Sequence, residues 1–467
     1  MNFETIYLRL PVPAQNALCS VYGFRLIRRR YDQAYLKLER DIIAREFWTY
    51  AELQGYSCMR LQRIVKYAAV NIPYYRRLFA EQGIEPDDIR KPEDLTFLPI
   101  LDKSIVQSQL DEFYSDELKQ LRHSIVHTSG TTGAGLIFPM ALSAEQEQWA
   151  VWWRYRARFG IDRQTWYAHF YGKSIVPHNQ SEPPFWRINK PGHQILFSGY
   201  HMRDAYLPYY VEELNRKRPP WIQGYPSLLS ILAGFILESG MKLEYRPKIV
   251  TVGAESLLPH QKAIIEKALG APCRQHYGMA EGVANISECP EGNLHVDEDY
   301  ACVEFLPIDG NICRIIGTTY TNYAFPLIRY DTGDVAELYD ENFICPCGRA
   351  GRLVKSIDGR IEDFVITPDG RRIGRMDHIF KDMVNIKECQ IYQDTPEKVI
   401  FRIVRGMHYS ETDERVLLAE ARRRLGDSIK IQISYVSNIE RTETGKLRFV
   451  ISKLPQAKVA QKGNTAL

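Results

Sequence analysis

Residues 128–135 read Thr128, Ser129, Gly130, Thr131, Thr132, Gly133, Ala134, Gly135. Glycines here let the backbone turn through positive φ and approach a ligand closely, while Thr128, Ser129, Thr131 and Thr132 offer hydroxyl donors to anionic oxygen. Such a loop suits a phosphate. The nucleoside-triphosphatase loop is excluded, because no Gly-Lys-Ser/Thr follows at the required spacing. Ser124–His127 before the loop and Leu136–Met140 after it are short and rich in apolar or β-branched residues, which predicts two strands joined by a glycine loop. An ordinary hairpin turn is the alternative reading.

At 467 residues with 45% hydrophobic content, the chain is long enough for two or three domains. A net charge of +3 gives no whole-molecule case for nucleic acid. The longest apolar run, Leu228 to Leu237, is interrupted by Ser230 and Gly234 and predicts no transmembrane segment. The N-terminus shows no basic-then-apolar signal pattern, and the nine cysteines do not form a disulfide framework. These features point to a cytoplasmic protein.

Residues 20–80 carry helical periodicity, with Leu61, Ile64, Val65 and Ala68 on one face. Arg28, Arg29 and Arg30 suit either anionic lipid or a solvated helix face. Asp102 is a candidate helix cap, and 144–159 reads as a helix bearing Trp149, Trp152, Trp153 and Tyr155. Between 165 and 260, short apolar strands alternate with helical segments, the layout of an α/β domain. The tail beyond Leu454 is polar and predicted to be loose.

Four further stretches carry chemistry. Gly253, Ala254 and Glu255 follow a strand-like segment, so a turn stands at the carboxyl edge where α/β sheets bind ligands. In Arg274 to Glu281, which includes His276, Tyr277 and Gly278, a ring can stack on a base and Glu281 can hold Mg²⁺. Asp331 and Asp334 stand on a tight turn suited to the hydroxyls of a ribose. Lys446 ends the Gly-containing turn Thr442, Glu443, Thr444, Gly445. Taken singly, each is also ordinary turn chemistry.

In this order, these stretches resemble the adenylate-forming superfamily. Within it the chain is similar to the phenylacetate-CoA ligase branch, including CapK-type proteins associated with polysaccharide biosynthesis. The features that carry this are Pro73, Tyr74, Tyr75; Leu98 to Lys103; Gly224, Tyr225, Pro226, Ser227; and Phe325 to Tyr330. The resemblance spans residues 45–450. It implies an α/β fold: a large N-terminal domain of mixed sheets and helices over 1–358, its first 100 residues helical, and a small mobile α+β domain over 359–467. Gly359 to Asp363 resemble the hinge, with Glu362 where the branch usually has aspartate.

The implied reaction is an AMP-forming activation of a small carboxylic acid by ATP, followed by transfer of the acyl group to CoA. The alternatives are a CapK-like transfer to an amine or hydroxyl acceptor, and an inactive nucleotide-binding scaffold. The joint presence of Glu281, Asp334 and Lys446 argues against the scaffold. By resemblance, Lys446, Thr131, Thr132 and Glu281 are catalytic, with Mg²⁺ on Glu281. Thr128, Ser129, Gly130, Gly133, Gly253, Ala254, Glu255, His276, Tyr277, Gly278 and Asp334 would bind the nucleotide, with Arg329 and Arg349 as further candidates. Gly135 and Leu136 stand where relatives often carry Pro and then Lys or Thr. His169, Phe170, Tyr171, Tyr225 and Pro226 either line the acyl pocket or form a buried aromatic cluster. The state of association, homodimer included, is left open.

Cys289, His295, Cys345 and Cys347 match the ligand set of a closed tetrahedral zinc site. The alternative is a set of reduced free thiols.

Overall fold

The computed structural model describes residues 3–128, 136–172, 175–177, 179–340, 343–360, 365–368, 372–373, 376–380, 385–441 and 447–454. The chain divides into two compact units, one of Met1–Ile361 with Arg441–Leu447 and one of Glu362–Glu440 with Arg448–Leu467. The resemblance assigned everything after 358 to the second domain, whereas Arg441–Leu447 groups with the larger unit. A physical reason is the Leu447 N–H, which donates to Glu255 at 2.7 Å.

The larger unit begins with five helices, α1 (Phe3–Leu8), α2 (Val12–Arg30), α3 (Gln33–Ala44), α4 (Tyr50–Asn71) and α5 (Pro73–Gln82). Thr49 caps α4 reciprocally with Glu52, and the predicted stripe Leu61, Ile64, Val65 and Ala68 is fully buried. Asp102 caps the short α6 (Lys103–Ser108) through the amides of Ser104 and Ile105, as the sequence predicts. Arg29 and Arg30, two of the three arginines that suit a lipid surface or a solvated face, both bind Glu145. No described helix is long and apolar enough to cross a membrane.

β1 (His123–His127) and β2 (Ile137–Ala141) pair antiparallel, with the hydroxyl-glycine loop between them. Residues 129–135 of that loop lie outside the described residues. α7 (Leu142–Ala157) follows directly.

The main sheet has twelve strands among the described residues: β3 (Tyr167–Tyr171), β4 (Trp186–Asn189), β5 (Gln194–Ser198), β6 (Trp221–Gly224), β7 (Ile249–Gly253), β8 (Cys273–Gly278), β9 (Asn285–Glu288), β10 (Leu294–Val296), β11 (Ala301–Asp309), β12 (Ile312–Thr319), β13 (Tyr330–Leu338) and β14 (Leu353–Arg360). Their order is β11-β12-β13-β14-β10-β9-β8-β7-β6-β3-β5-β4. The parallel block β5-β3-β6-β7-β8 is linked through α8 (Leu207–Lys217), α9 (Pro226–Ser239) and α10 (Pro259–Leu269). One face of this block carries Ala168, Phe170, Ile222, Val250, Val252 and Cys273 into the core beneath α8, α9 and α10. The other face meets α7 through Tyr167, Trp221 and Ile249.

In the smaller unit, a sheet ordered β19-β18-β17-β20 uses β17 (Ile386–Thr395), β18 (Lys398–Arg405), β19 (Lys430–Tyr435) and β20 (Val450–Ser452). A two-stranded ladder, β15 (Val365–Ile366) and β16 (Arg372–Ile373), precedes it. Alternate residues Val399, Phe401 and Ile403 of β18 are fully buried with Leu417 and Ala421 of α11 (Glu411–Leu425).

Candidate active site

The carboxyl ends of β6, β7 and β8 are neighbours, and each leads into a segment predicted to bind. β7 ends at Gly253, where a Cβ would stand 2.9 Å from the His276 carbonyl, so only glycine lets the two strands close together. Ala254 next takes φ of 68°, turning the chain so that Glu255 faces the start of α9. Its carboxylate accepts the Ser227 N–H at 3.1 Å and the Leu447 N–H at 2.7 Å. Burial pushes the Glu255 carboxyl up, against the opposing pull of these bonds and of Arg441. The residue after Lys446 is thus fixed at the end of β7, while Lys446 itself lies outside the described residues.

Alternation along β8 sends His276 and Tyr277 to opposite faces. Tyr277 donates its hydroxyl to Asp334 Oδ2 at 2.7 Å. Its phenol is held well above the ordinary value by burial, then by the charge of Asp334, with a further contribution from Glu281. Tyr277, Glu281 and Asp334 are each partly exposed, so a polar ligand can reach them. His276 goes elsewhere: Nε2 lies 2.8 Å from Asn285 Oδ1, which also accepts the Trp152 indole N–H at 3.0 Å. Burial lowers its pKa to about 4. Gly278 ends β8, and Glu281 stands on the turn that follows.

Thr128 closes the base of the hydroxyl loop, its Oγ1 accepting the Leu136 N–H at 2.8 Å. Ser129, Gly130, Thr131, Thr132 and Gly133 lie outside the described residues.

The two arginine candidates are committed to protein partners. Arg329 donates to Glu304 at 3.1 Å and to the Leu98 carbonyl at 2.6 Å, and its own carbonyl accepts the Leu101 N–H at 2.9 Å. It therefore locks the Leu98–Lys103 stretch against Phe325–Tyr330. Arg349 pairs with Glu46 at 2.5 Å, in a network where Arg158 also holds Glu46 and Arg154 holds Asp297 and Asp299.

Along β3, Phe170 stacks on Phe197 in the core at 4.6 Å, so it lines no pocket on the other face. His169 and Tyr171 do lie on that other face, and Tyr171 meets the Tyr225 ring at 4.4 Å.

The four metal-ligand candidates converge from β9's end, β10 and the β13–β14 connection. Their ligand atoms all lie within 4.8 Å of one another. Cys289 Sγ is 3.7 Å from Cys345 Sγ, and Cys347 Sγ is 3.3 Å from His295 Nε2. A tetrahedral ion with Zn–S of about 2.3 Å and Zn–N of about 2.0 Å demands edges of roughly 3.8 and 3.5 Å. The donor set fits zinc in type, number and spacing.

Sequence reasoning missed Ser227 as an amide donor to Glu255, Arg441 as its counter-charge, and Asn285 as the partner of His276. Ser227 alone carried a signal, since it closes the quoted Gly224–Ser227 stretch.

Residues 365–453 match the CapK C-terminal domain family. Protein CapK of Staphylococcus aureus is 26% identical over 458 residues, covering 96% of this chain and 99% of that protein. The phenylacetate-coenzyme A ligase of Thermus thermophilus is 28% identical over 331 residues, 66% of this chain and 70% of the enzyme. Among solved structures, 2-hydroxyisobutyryl-CoA ligase in the postadenylation state in complex with R3-HIB-AMP superposes with a TM-score of 0.68 at 20% identity, covering 87% of this chain and 91% of that one. The chain is a homologue of CapK and of the phenylacetate-coenzyme A ligases, built on the fold of the adenylate-forming ligases.

Proposed function

We propose that this chain is an AMP-forming acid ligase. One carboxylate oxygen of the substrate attacks the α-phosphorus of ATP, the bond to the β-phosphate oxygen breaks, and pyrophosphate leaves. An acceptor nucleophile then attacks the acyl carbon, loses its proton, and displaces AMP. The observation that carries this reading is the Tyr277–Asp334 hydrogen bond beside Glu281, next to the carboxyl end of β7.

Each residue has a role that follows from its charge. Asp334, oriented by Tyr277, accepts the ribose hydroxyls. The Gly253–Glu255 turn and Tyr277 flank the base. Thr131 and Thr132, with Thr128, Ser129, Gly130 and Gly133, donate to phosphate oxygens as charge moves to the leaving group. Lys446 offsets the repulsion between the attacking carboxylate and the α-phosphate, an effect worth several kcal/mol, roughly, in rate. Glu281 would hold Mg²⁺, which when bound neutralises the polyphosphate. Zinc, held by Cys289, His295, Cys345 and Cys347, would be structural, because protein fills all four positions and none is open for catalysis.

The acceptor divides two readings. Homology to phenylacetate-CoA ligases supports a CoA thiol. The nearly end-to-end match to CapK and to its C-terminal domain supports an amine or hydroxyl acceptor, as on a glycan precursor. A screen of carboxylic acids for pyrophosphate release, with CoA, with amines and with neither, decides between them. Acid-dependent release stimulated by CoA favours the thiol, and release with no acid dependence refutes ligation.

A further inference from the structure

Arg154 and Arg156 of α7, with Arg158 just past its end, have enclosed side chains, and among the described residues two of the three hold an acid. Arg154 holds Asp297 and Asp299 at 2.8 Å, and Arg158 holds Glu46 at 2.8 Å. Arg156, only 6% exposed, forms no ion pair or side-chain hydrogen bond among the described residues, and its Nη1 is sealed from solvent without a partner. What surrounds it instead is indole: the guanidinium carbon lies 4.7 Å from the Trp153 ring centre, 5.1 Å from Trp221 and 5.5 Å from Trp149. Cation–π contact offsets only part of the cost of withdrawing a guanidinium from water, and buried charges are otherwise paired. Arg30, which also lies over Trp149, is neutralised by Glu145, a carboxylate already shared between Arg29 and Arg30.

This cation stands on the face of the sheet that leads to the candidate active site. Trp221 stacks on Tyr167 at 4.1 Å, and His169 and Tyr171 continue the same side of β3 toward the carboxyl edge. There the Gln223 amide donates to the Tyr171 hydroxyl, in the strand that neighbours β7. Burial pushes the Tyr171 phenol up, against an opposing pull from the charge of Arg156, and burial lowers His276 with a smaller contribution of the same sign from Arg156. The face is therefore aromatic with a buried positive charge, which a purely hydrocarbon tail would leave without a counter-ion.

Building on the acid-ligase reading, we infer that the substrate carries a second anionic group, and that Arg156 is the side chain that neutralises it. One carboxylate of a dicarboxylic acid is activated at the phosphate while the other is held against the guanidinium between the indoles. Arg156 takes no part in bond making; it selects the acid.

The test uses the full-length chain with ATP and Mg²⁺, measuring pyrophosphate release with matched acid pairs: glutarate against pentanoate, adipate against hexanoate, terephthalate against 4-methylbenzoate. In the wild type, at least one diacid is expected to exceed its neutral-ended partner by about tenfold or more in kcat/KM. Arg156→Met collapses that preference through the KM of the diacid, and Arg156→Lys keeps part of it. Wild-type parity or preference for the neutral-ended acid in every pair overturns the inference while leaving the ligase reading intact, as does an unchanged ratio in Arg156→Met. Should Arg156→Met fail to fold, the wild-type ratios and Arg156→Lys decide. No pyrophosphate release with any acid would remove the ligase reading, and this inference with it.

Discussion

Tyr277 on β8 and Asp334 on β13 are joined by a 2.7 Å hydrogen bond although β9, β10 and β14 stand between their strands in the sheet order. In a flat sheet that interval would hold the two strands about 19 Å apart. The sheet must therefore curl on itself, and the register shifts at Asp334/Val335 and Glu337/Leu338 bend β13 against β14. The curl gathers Tyr277, Glu281 and Asp334 beside the parallel block.

Removing the phenolic hydroxyl tests what that bond does. Tyr277→Phe leaves the ring in place and frees Asp334 to rotate, so KM for ATP is expected to rise by about three- to tenfold with a smaller change in kcat. Asp334→Asn should cost more. Kinetics at saturating acid with ATP varied measures both, and an unchanged KM for ATP would remove the ribose role.

Lys446→Ala should lower adenylation by about a hundredfold or more while ATP binding stays largely intact, because the lysine's charge acts as the two anions meet. Isothermal titration with ATP and a single-turnover assay separate the two effects. Near-normal turnover would show that another cation does this work.

Metal analysis of protein purified without chelator should find about one zinc ion per chain. Cys345→Ser should lose the metal and melt at a lower temperature. A metal-free protein of full stability would leave the four side chains as reduced thiols and a neutral imidazole.

Acid should destabilise the fold in a defined window. Burial lowers His276 and His260 from the ordinary 6.5 to about 4, so both are neutral when folded and take up protons more readily when unfolded. Stability is then complete above the unfolded value and falls as pH drops from 6.5 toward 4, by on the order of 1–3 kcal/mol for each group. Chemical denaturation across that range measures the slope, and His276→Gln should flatten it. A slope of the opposite sign would contradict the burial of these rings.

Much of this architecture was legible because it depends on local pattern. The stripe from Leu61 to Ala68 and the cap at Asp102 each follow from local sequence alone. The zinc-type set was legible because Cys and His rarely combine by chance, although the pairing of β10 with both β9 and β14 was needed to bring Cys289 and Cys345 together. What stayed hidden depends on tertiary neighbours. Arg349 belongs to Glu46, some three hundred residues away, and Arg329 to Glu304. His276 and Tyr277 read alike in sequence, and the strand sends one beneath Trp152 and the other to Asp334. Nothing near Arg156 in the sequence marks it as the arginine of α7 that finds no acid among the described residues.

Exchange of labelled pyrophosphate into ATP, dependent on an added carboxylic acid and observed without any acceptor, tests the central claim most directly. Reversible formation of an acyl-adenylate predicts that label enters ATP only when acid, ATP and Mg²⁺ are present together. Exchange absent with every acid of a broad panel, in protein shown to bind ATP, would contradict the claim.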